Sequence, residues 1–170
     1  MIKRIAITGP ESTGKSSLAI ALAKYFNTVA VPEYAREYID DLNRPYCYDD
    51  IELIAKGQLQ REEMMLPLAN KILFCDTDIL VTKVWSDFVY HKCSDWINDK
   101  VINHEYDLYL LTNVDIPWEY DPQRENPNQR QELFDIYYQQ LKRNNFNFNV
   151  IDGLDEKRLQ RAISFVEKII

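Results

Sequence analysis

Histidine, cysteine and glycine are scarce in this sequence. Its 170 residues include 2 histidines, 3 cysteines and 4 glycines. The cysteines (Cys47, Cys75 and Cys93) form no CxxC pair and the histidines lie far apart, so a structural zinc site is not expected. The odd cysteine count also argues against a disulfide framework, which favours a reduced, cytoplasmic protein. With 4 glycines and 7 prolines, collagenous and low-complexity chains are excluded.

The sequence also lacks a basic surplus and a long apolar run. It has 20 Lys and Arg against 27 Asp and Glu, a net charge of −7, whereas nucleic-acid-binding proteins normally present a basic face. No stretch approaches the ~20 apolar residues that cross a bilayer, and Ile5–Ile7 is too short for a signal peptide. We therefore expect no nucleic-acid or membrane partner. The length and the 46% hydrophobic content predict one domain over residues 1–170.

Short β-rich runs alternate with longer helical patterns, which is typical of an α/β fold with a parallel sheet. Strands are predicted at Lys3–Thr8, Thr28–Val31, Ile72–Cys75, Leu108–Leu111 and Phe148–Ile151. Helices are predicted at Lys15–Phe26, Tyr34–Leu42, Asp50–Ala69, Ile79–Val89, Ser94–Asn103 and Glu156–Ile170, the last with a stripe that includes Ile170. Residues 113–128 contain three prolines and form the one long irregular segment.

The strongest motif is GPESTGKS at residues 9–16, which fits the phosphate-loop pattern GxxxxGK[ST]. It lies between a predicted strand and a predicted helix, as the motif requires. Glycines allow the backbone N–H groups to face a phosphate, Lys15 can reach the terminal phosphates, and the Ser16 hydroxyl can hold Mg²⁺. The motif predicts ATP or GTP binding by Gly9, Glu11, Ser12, Thr13, Gly14, Lys15, Ser16 and Ser17.

Charged residues follow the second and third strands, at the sheet edge where the loop lies. Glu33 could accept the proton of an attacking hydroxyl, and Arg36 could hold a substrate oxygen, although capping and surface roles remain alternatives. Asp76 directly follows an apolar strand, the Walker-B position for a carboxylate near Mg²⁺. Asp78 is predicted either to contact substrate or to cap the next helix. Which of Glu33 and Asp76 takes the proton stays open.

The proline-rich segment is predicted to be a lid over about residues 113–130. Its arginines, Arg124 and Arg130, could close on the γ-phosphate and exclude water. Three aromatic residues near predicted strand ends, Tyr34, Trp85 and Trp118, are candidates for stacking on a substrate ring, with plain packing as the alternative.

Several motifs together resemble one family. They are GPESTGKS, VPEYAREY, the Gly57-Gln58 pair, LFCDTD, TKVW, YDLYLLT and IPWEYDPQR, and they span about Lys3 to Ile163. The chain resembles the kinase domain of NadR-type ribosylnicotinamide kinases, within a broader group of AAA-labelled phosphate-loop ATPases. The combination of EYxRE, DTD and W-x-x-D-x-x-R is far more specific than the phosphate loop alone.

The resemblance implies ATP-dependent 5′-phosphorylation of nicotinamide riboside to the mononucleotide, in NAD salvage. It implies a three-layer fold around a five-stranded parallel sheet of order 2-3-1-4-5. Lys15, Glu33, Asp76 and Arg124 would be catalytic, with Ser16 and Asp76 on Mg²⁺. The resemblance also implies Gly9 and Gly14 on ATP, Tyr34 and Arg36 on the substrate side, and Arg130 in the lid.

Two departures from the family leave alternatives open. The histidines, His91 and His104, lie in no HxGH-type site, so adenylyltransferase and repressor activities are not expected of this chain. Pro32 precedes Glu33 where some family members have an aromatic residue, so the base of the nucleoside is not fixed. A kinase for another nucleoside and a regulatory ATPase switch are the alternatives. The aromatic-rich stretch Gln131–Lys142 is compatible with a homo-oligomer.

Overall fold

Five short apolar runs of the chain form one parallel sheet. The computed structural model describes residues 1–170, and the strands are β1 (Lys3–Thr8), β2 (Val29–Val31), β3 (Ile72–Asp76), β4 (Leu108–Thr112) and β5 (Phe148–Ile151). Their order across the sheet is β2-β3-β1-β4-β5, with every neighbouring pair parallel. The predicted α/β class and the strand order implied by the family resemblance are confirmed.

Six α-helices lie between the strands and a seventh follows β5. They are α1 (Lys15–Tyr25), α2 (Tyr34–Asp41), α3 (Tyr48–Met65), α4 (Ile79–Tyr90), α5 (Asp95–Asn103), α6 (Arg130–Arg143) and α7 (Asp155–Val166). None of them is long and apolar enough to span a lipid bilayer.

Two predicted helix ends were wrong by several residues. The helix predicted at Asp50–Ala69 begins at Tyr48, because the Asp50 carboxylate accepts a hydrogen bond from the Cys47 N–H and so fixes the first turn. It ends at Met65, where a 3₁₀ turn over Leu66–Leu68 contains a proline that cannot continue the α-helical hydrogen bonds. The last helix ends at Val166 rather than Ile170, which is exposed and takes no part in the buried stripe.

The sheet separates two apolar cores, as expected for strands that are buried on both faces. Ile5 and Ile7 face the core beneath α1 and α7, whereas Ala6 between them faces the larger core beneath the other helices. Because all five strands run the same way, their carboxyl ends meet at one edge. The connection after β1 leads to β2 and β3 on one side of β1, and the connection after β3 crosses to β4 on its other side. The strand order therefore reverses next to β1, which makes this edge the expected ligand site.

Candidate active site

A large cavity opens at the carboxyl edge of the sheet. It has a volume of about 990 Å³ and is lined by the phosphate loop, Gly9–Ser16, with a lobe on either side. The α7 lobe is lined by Ser17, Leu18, Ala21, Leu154, Asp155 and Leu159. The α4 lobe is lined by Ile39, Arg44, Tyr46, Val84, Trp85 and Phe88. A phosphate held by the loop would thus lie between the two lobes of one cavity.

The backbone of the phosphate loop has the geometry of an anion site. Gly9 has φ +132°, and a Cβ atom there would lie 2.6 Å from Thr112 Oγ1, so only glycine fits against β4. Thr13 Oγ1 donates to the Pro10 carbonyl oxygen at 2.7 Å and lies 2.7 Å from Thr112 Oγ1. Gly14 has φ +75° and directly precedes α1. The amino-terminal end of α1 therefore points into the cavity, where helix N–H groups favour an anion.

Lys15 lies in this loop among carboxylates from other strands. Its Nζ atom donates to the Pro10 carbonyl oxygen at 2.8 Å. Burial lowers the pKa of Lys15, while the negative charges of Glu33 and Asp76 oppose that effect. The fold thus brings together three of the predicted site residues, which are up to 61 positions apart in the sequence.

Glu33 stands where β2 leaves the sheet and lines the cavity. It occupies the N-cap position of α2 but makes no capping hydrogen bond. Its Oε2 atom lies 3.3 Å from Arg36 Nε, and 24% of the side chain is exposed. Burial raises the pKa of Glu33, with Lys15 and Arg36 opposing. A carboxylate with a raised pKa beside the phosphate loop is suited to accept a proton.

Asp76 ends β3 and has the features of a metal-binding carboxylate. The residue is 4% exposed, and its Oδ1 atom has no hydrogen-bond partner. Burial raises the pKa of Asp76, while the Ser16 hydroxyl and the charge of Lys15 oppose that effect. An unpartnered buried carboxylate oxygen beside a serine hydroxyl fits a divalent cation. No group of three or more Asp, Glu, His or Cys side chains is arranged to hold a metal ion, so other ligands of such a cation would be phosphate oxygens or water.

Asp78 and Tyr34, both predicted on the substrate side, do not line the cavity. Asp78 is 1% exposed, accepts a hydrogen bond from the Thr8 hydroxyl at 3.0 Å, and caps α4 through the Val81 N–H at 3.3 Å. Of its two predicted roles, capping is the one it has here. The Tyr34 ring lies against Gly57 of α3 and under the Arg61 guanidinium, 4.8 Å from the ring centre.

The irregular segment 113–129 lies on the phosphate loop. The Glu11 carboxylate accepts hydrogen bonds from the N–H groups of Glu125 and Asn126 at 3.0 and 3.1 Å. Ser12 accepts from Arg124 at its hydroxyl, 3.3 Å, and from Arg130 at its carbonyl, 2.9 Å. Both predicted lid arginines therefore reach the loop, although only Arg124 lines the cavity. The Trp118 ring lies outside the cavity, within 6.0 Å of both guanidinium groups.

The same segment also lies on α2. Asp121 Oδ2 accepts a 2.7 Å hydrogen bond from Arg36 Nη1. Gln123 donates from its side chain to the Arg36 carbonyl oxygen at 3.3 Å and to Asp40 at 2.6 Å. Arg36 therefore bridges the Glu33 carboxylate and the segment. The sequence did not single out Asp121 except as a letter of the lid motif.

Arg158 of α7 is a second residue that sequence reasoning missed. It is 6% exposed, and its guanidinium donates to the carbonyl oxygens of Thr13 at 2.7 Å and Gly153 at 3.0 Å. It also pairs with Asp115 at 2.8 Å and reaches the Asn113 carbonyl at 3.2 Å. The loops after β1, β4 and β5 are thus held by one side chain. An arginine within an amphipathic helix gives no sequence signal of this kind.

The α4 lobe has aromatic walls and no unpaired cation. Trp85, one of the three stacking candidates, donates from Nε1 to the Tyr46 hydroxyl at 3.2 Å, and Tyr46 donates to Glu125 at 2.7 Å. Arg44 pairs with both carboxylate oxygens of Asp50, at 2.7 and 2.9 Å. The lobe can therefore surround a planar ring with aromatic side chains and carboxylates.

Comparison with models of protein families identifies the family of this chain. A family model described as an AAA domain matches residues 4–158, which include all five strands and Arg158. The chain belongs to this family. That range carries the phosphate loop, Glu33, Asp76 and the 113–129 segment.

Two curated relatives are the trifunctional NAD biosynthesis/regulator proteins NadR of Escherichia coli (strain K12) and Salmonella typhimurium (strain LT2). Each is 28% identical over 178 aligned positions, which cover 99% of this chain and 43% of the relative. The chain thus spans less than half the length of these relatives. The similarity to NadR-type proteins that the motifs indicated is confirmed.

Solved structures agree with this assignment. A NadR structure in complex with NAD and AMP-PNP superimposes with a TM-score of 0.82 at 25% identity, covering 99% of this chain and 49% of that one. A NadR structure in complex with NR has a TM-score of 0.86 at 24% identity and is covered to 51%. Thymidylate kinase from Ehrlichia chaffeensis, with a TM-score of 0.67 and 18% identity over 98% of this chain and 97% of that one, shares the fold. The fold is that of phosphate-loop kinases.

Proposed function

We propose that this protein transfers the γ-phosphoryl group of ATP to the 5′-hydroxyl of nicotinamide riboside, giving nicotinamide mononucleotide. The observation that carries the proposal is the position of Glu33, which lines the cavity beside Lys15 and is paired with Arg36 of α2. A nucleoside in the α4 lobe would present its hydroxyl to this carboxylate. The similarity to NadR, of which structures with NR and with AMP-PNP are known, supports the choice of substrates.

The polar residues at and beside the phosphate loop have distinct roles in this reaction, although Asp76 lies beneath the cavity and does not line it. The phosphate loop and Lys15 would bind the ATP phosphates, and Glu33 would accept the proton as the hydroxyl attacks in line. Arg124, which reaches Ser12 of the loop, would neutralise charge that develops on the transferred group. Ser16 and Asp76 would hold Mg²⁺, which supplies positive charge to the phosphate oxygens.

The charges of the α4 lobe favour a nucleoside over a nucleoside monophosphate. Arg36 is paired with Glu33 and Asp121, and Arg44 is paired with Asp50. An acceptor phosphate would find no unpaired cation among the residues that line the lobe. A neutral or cationic ring is more favourable among these carboxylates, and the nicotinamide ring of the riboside carries a positive charge.

A second candidate is a kinase for another nucleoside. The observation that favours it is Pro32, which stands beside Glu33 where some related kinases have an aromatic residue. Trp85, Tyr46 and Phe88 form an aromatic wall that would stack on any planar base.

The deciding experiment is a product assay with purified protein, ATP, Mg²⁺ and a panel of nucleosides that contains nicotinamide riboside, adenosine, thymidine and thymidine monophosphate. We expect the mononucleotide of nicotinamide as the main product. Lys15→Ala should lower kcat by about 100-fold or more, because it removes a charge that stabilises the transition state. Lys24→Ala, an exposed position near the end of the same helix, is the control and should leave kcat unchanged.

The panel also distinguishes the alternatives. Turnover of thymidine or adenosine without turnover of nicotinamide riboside would replace the proposed substrate. ATP hydrolysis that no nucleoside alters would instead favour a regulatory ATPase.

A further inference from the structure

The four-residue turn Asp121–Arg124, within the 113–129 segment, contacts both α2 and the phosphate loop. The turn is closed by a 3.0 Å hydrogen bond from the Arg124 N–H to the Asp121 carbonyl oxygen. At its first residue, Asp121 accepts from Arg36 of α2 at 2.7 Å. At its last residue, Arg124 donates to the Ser12 hydroxyl of the phosphate loop at 3.3 Å and to the Glu119 carbonyl oxygen at 2.5 Å. Contacts with α2 and with the phosphate loop are therefore made by a single hydrogen-bonded turn.

Asp121 competes with Glu33 for the same guanidinium. Arg36 Nη1 lies 2.7 Å from Asp121 and Nε lies 3.3 Å from Glu33, so the shorter contact is to the turn. The N–H of Gln123 donates to the other oxygen of Asp121 at 2.9 Å, which fixes the carboxylate within the turn. If Asp121 were absent, Arg36 would be free to pair with both oxygens of Glu33 and would draw the carboxylate away from a substrate hydroxyl.

We propose that Asp121 is a positioning residue that couples nucleotide binding at the phosphate loop to acceptor binding in the α4 lobe. A nucleotide that engages Arg124 and Ser12 fixes the turn, and the turn fixes Arg36 and with it Glu33. The inference rests on the proposed function, because it takes the acceptor to be a nucleoside. It adds that binding of the two substrates is mutually strengthened through Asp121.

The test is a binding cycle by calorimetry. The dissociation constant of nicotinamide riboside is measured with and without a saturating non-hydrolysable ATP analogue and Mg²⁺, in the unaltered protein, Asp121→Asn and Asp40→Asn. Asp40 is the matched control, since it lies on α2 as Arg36 does and contacts the 113–129 segment through Gln123. We expect the analogue to strengthen nucleoside binding by about 5- to 150-fold in the unaltered protein and in Asp40→Asn. In Asp121→Asn the factor should fall to about 1, with each separate affinity changed less than about 3-fold.

Each outcome supports or overturns the inference. A factor that Asp121→Asn leaves unchanged, or a factor of 1 in the unaltered protein, would overturn it while the proposed function stands. Equal loss in both variants would assign the coupling to docking of the whole segment and overturn the role of Asp121. If the unaltered protein binds no nucleoside at all, the proposed function fails as well. Asp121→Glu, which keeps the charge, should recover part of the coupling and excludes a folding defect as the cause.

Discussion

Arg158 Nη2 donates a 2.7 Å hydrogen bond to the Thr13 carbonyl oxygen, so a side chain of the last helix holds the phosphate loop. We expect Arg158→Met to lower the free energy of unfolding by about 2–3 kcal/mol, because buried carbonyl groups lose their donor. The affinity for a non-hydrolysable ATP analogue should fall as well, since residue 158 no longer holds the phosphate loop in place. Urea denaturation and calorimetry check both effects. Arg161→Met, an exposed position on the same helix that pairs with Asp152, is the control. Full affinity in Arg158→Met would refute the role.

Two variants distinguish the proposed roles of Glu33 as proton acceptor and Asp76 as Mg²⁺ ligand. We expect Glu33→Gln to lower kcat by about 10²–10⁴-fold with an unchanged Mg²⁺ requirement, because it removes a proton acceptor. Asp76→Asn should instead raise the Mg²⁺ concentration needed for half-maximal activity, since its unpartnered Oδ1 is the proposed ligand. Steady-state kinetics over a Mg²⁺ series measure both. Glu37→Gln, on the exposed side of α2, should behave as the unaltered protein. The opposite pattern would exchange the two roles.

Residue 57 of α3 must be glycine, because the Tyr34 ring packs directly against its backbone. A Cβ atom at residue 57 would lie 2.0 Å from the Tyr34 ring. Alanine normally stabilises a helix by about 1 kcal/mol relative to glycine. Here we expect Gly57→Ala to destabilise by about 1–3 kcal/mol and to lower kcat, because the ring must shift at the start of α2, beside Glu33. Thermal melts and the kinase assay check this. The double variant Gly57→Ala with Tyr34→Ala should recover stability, and an increase in stability from Gly57→Ala alone would contradict the argument.

The contribution of Asp50 to the free energy of unfolding depends on pH. Hydrogen bonds from Arg44 hold the pKa of Asp50 well below its ordinary value of 3.8. A carboxylate with a depressed pKa in the folded state contributes stability that is present above about pH 4 and lost as the pH falls further. We expect Asp50→Asn to lower the Tm by about 4–10 °C at pH 7 and by a smaller amount near pH 3, where part of the contribution is lost. Calorimetric scans across this range test it, with Asp49→Asn at the exposed neighbouring position as control. A difference that is equal at both pH values would show that charge is not the cause.

Local signals in the sequence predicted the parts of the site that depend on neighbours along the chain. The Gly9–Ser16 motif between a strand and a helix indicated the phosphate loop, and apolar runs that end in Glu33 or Asp76 indicated the edge where ligands bind. These predictions hold geometrically because parallel strands bring their carboxyl ends to one edge. The two ends of α3 were misjudged, since capping at Cys47 and the proline turn at Leu66–Leu68 outweigh the apolar periodicity. The last helix was predicted to continue to Ile170 but ends at Val166.

The α/β class, the phosphate loop and the residues that follow each strand can be predicted from the amino-acid sequence alone, because each of these depends on patterns a few residues long. Which side chains meet across the site depends on the tertiary structure. Arg158 reaches Thr13, Asp121 reaches Arg36, and Gly57 makes room for Tyr34, yet each pair is separated by 23 to 145 positions. Such pairs are fixed by the packing of helices on the sheet, for which a single sequence carries no local pattern.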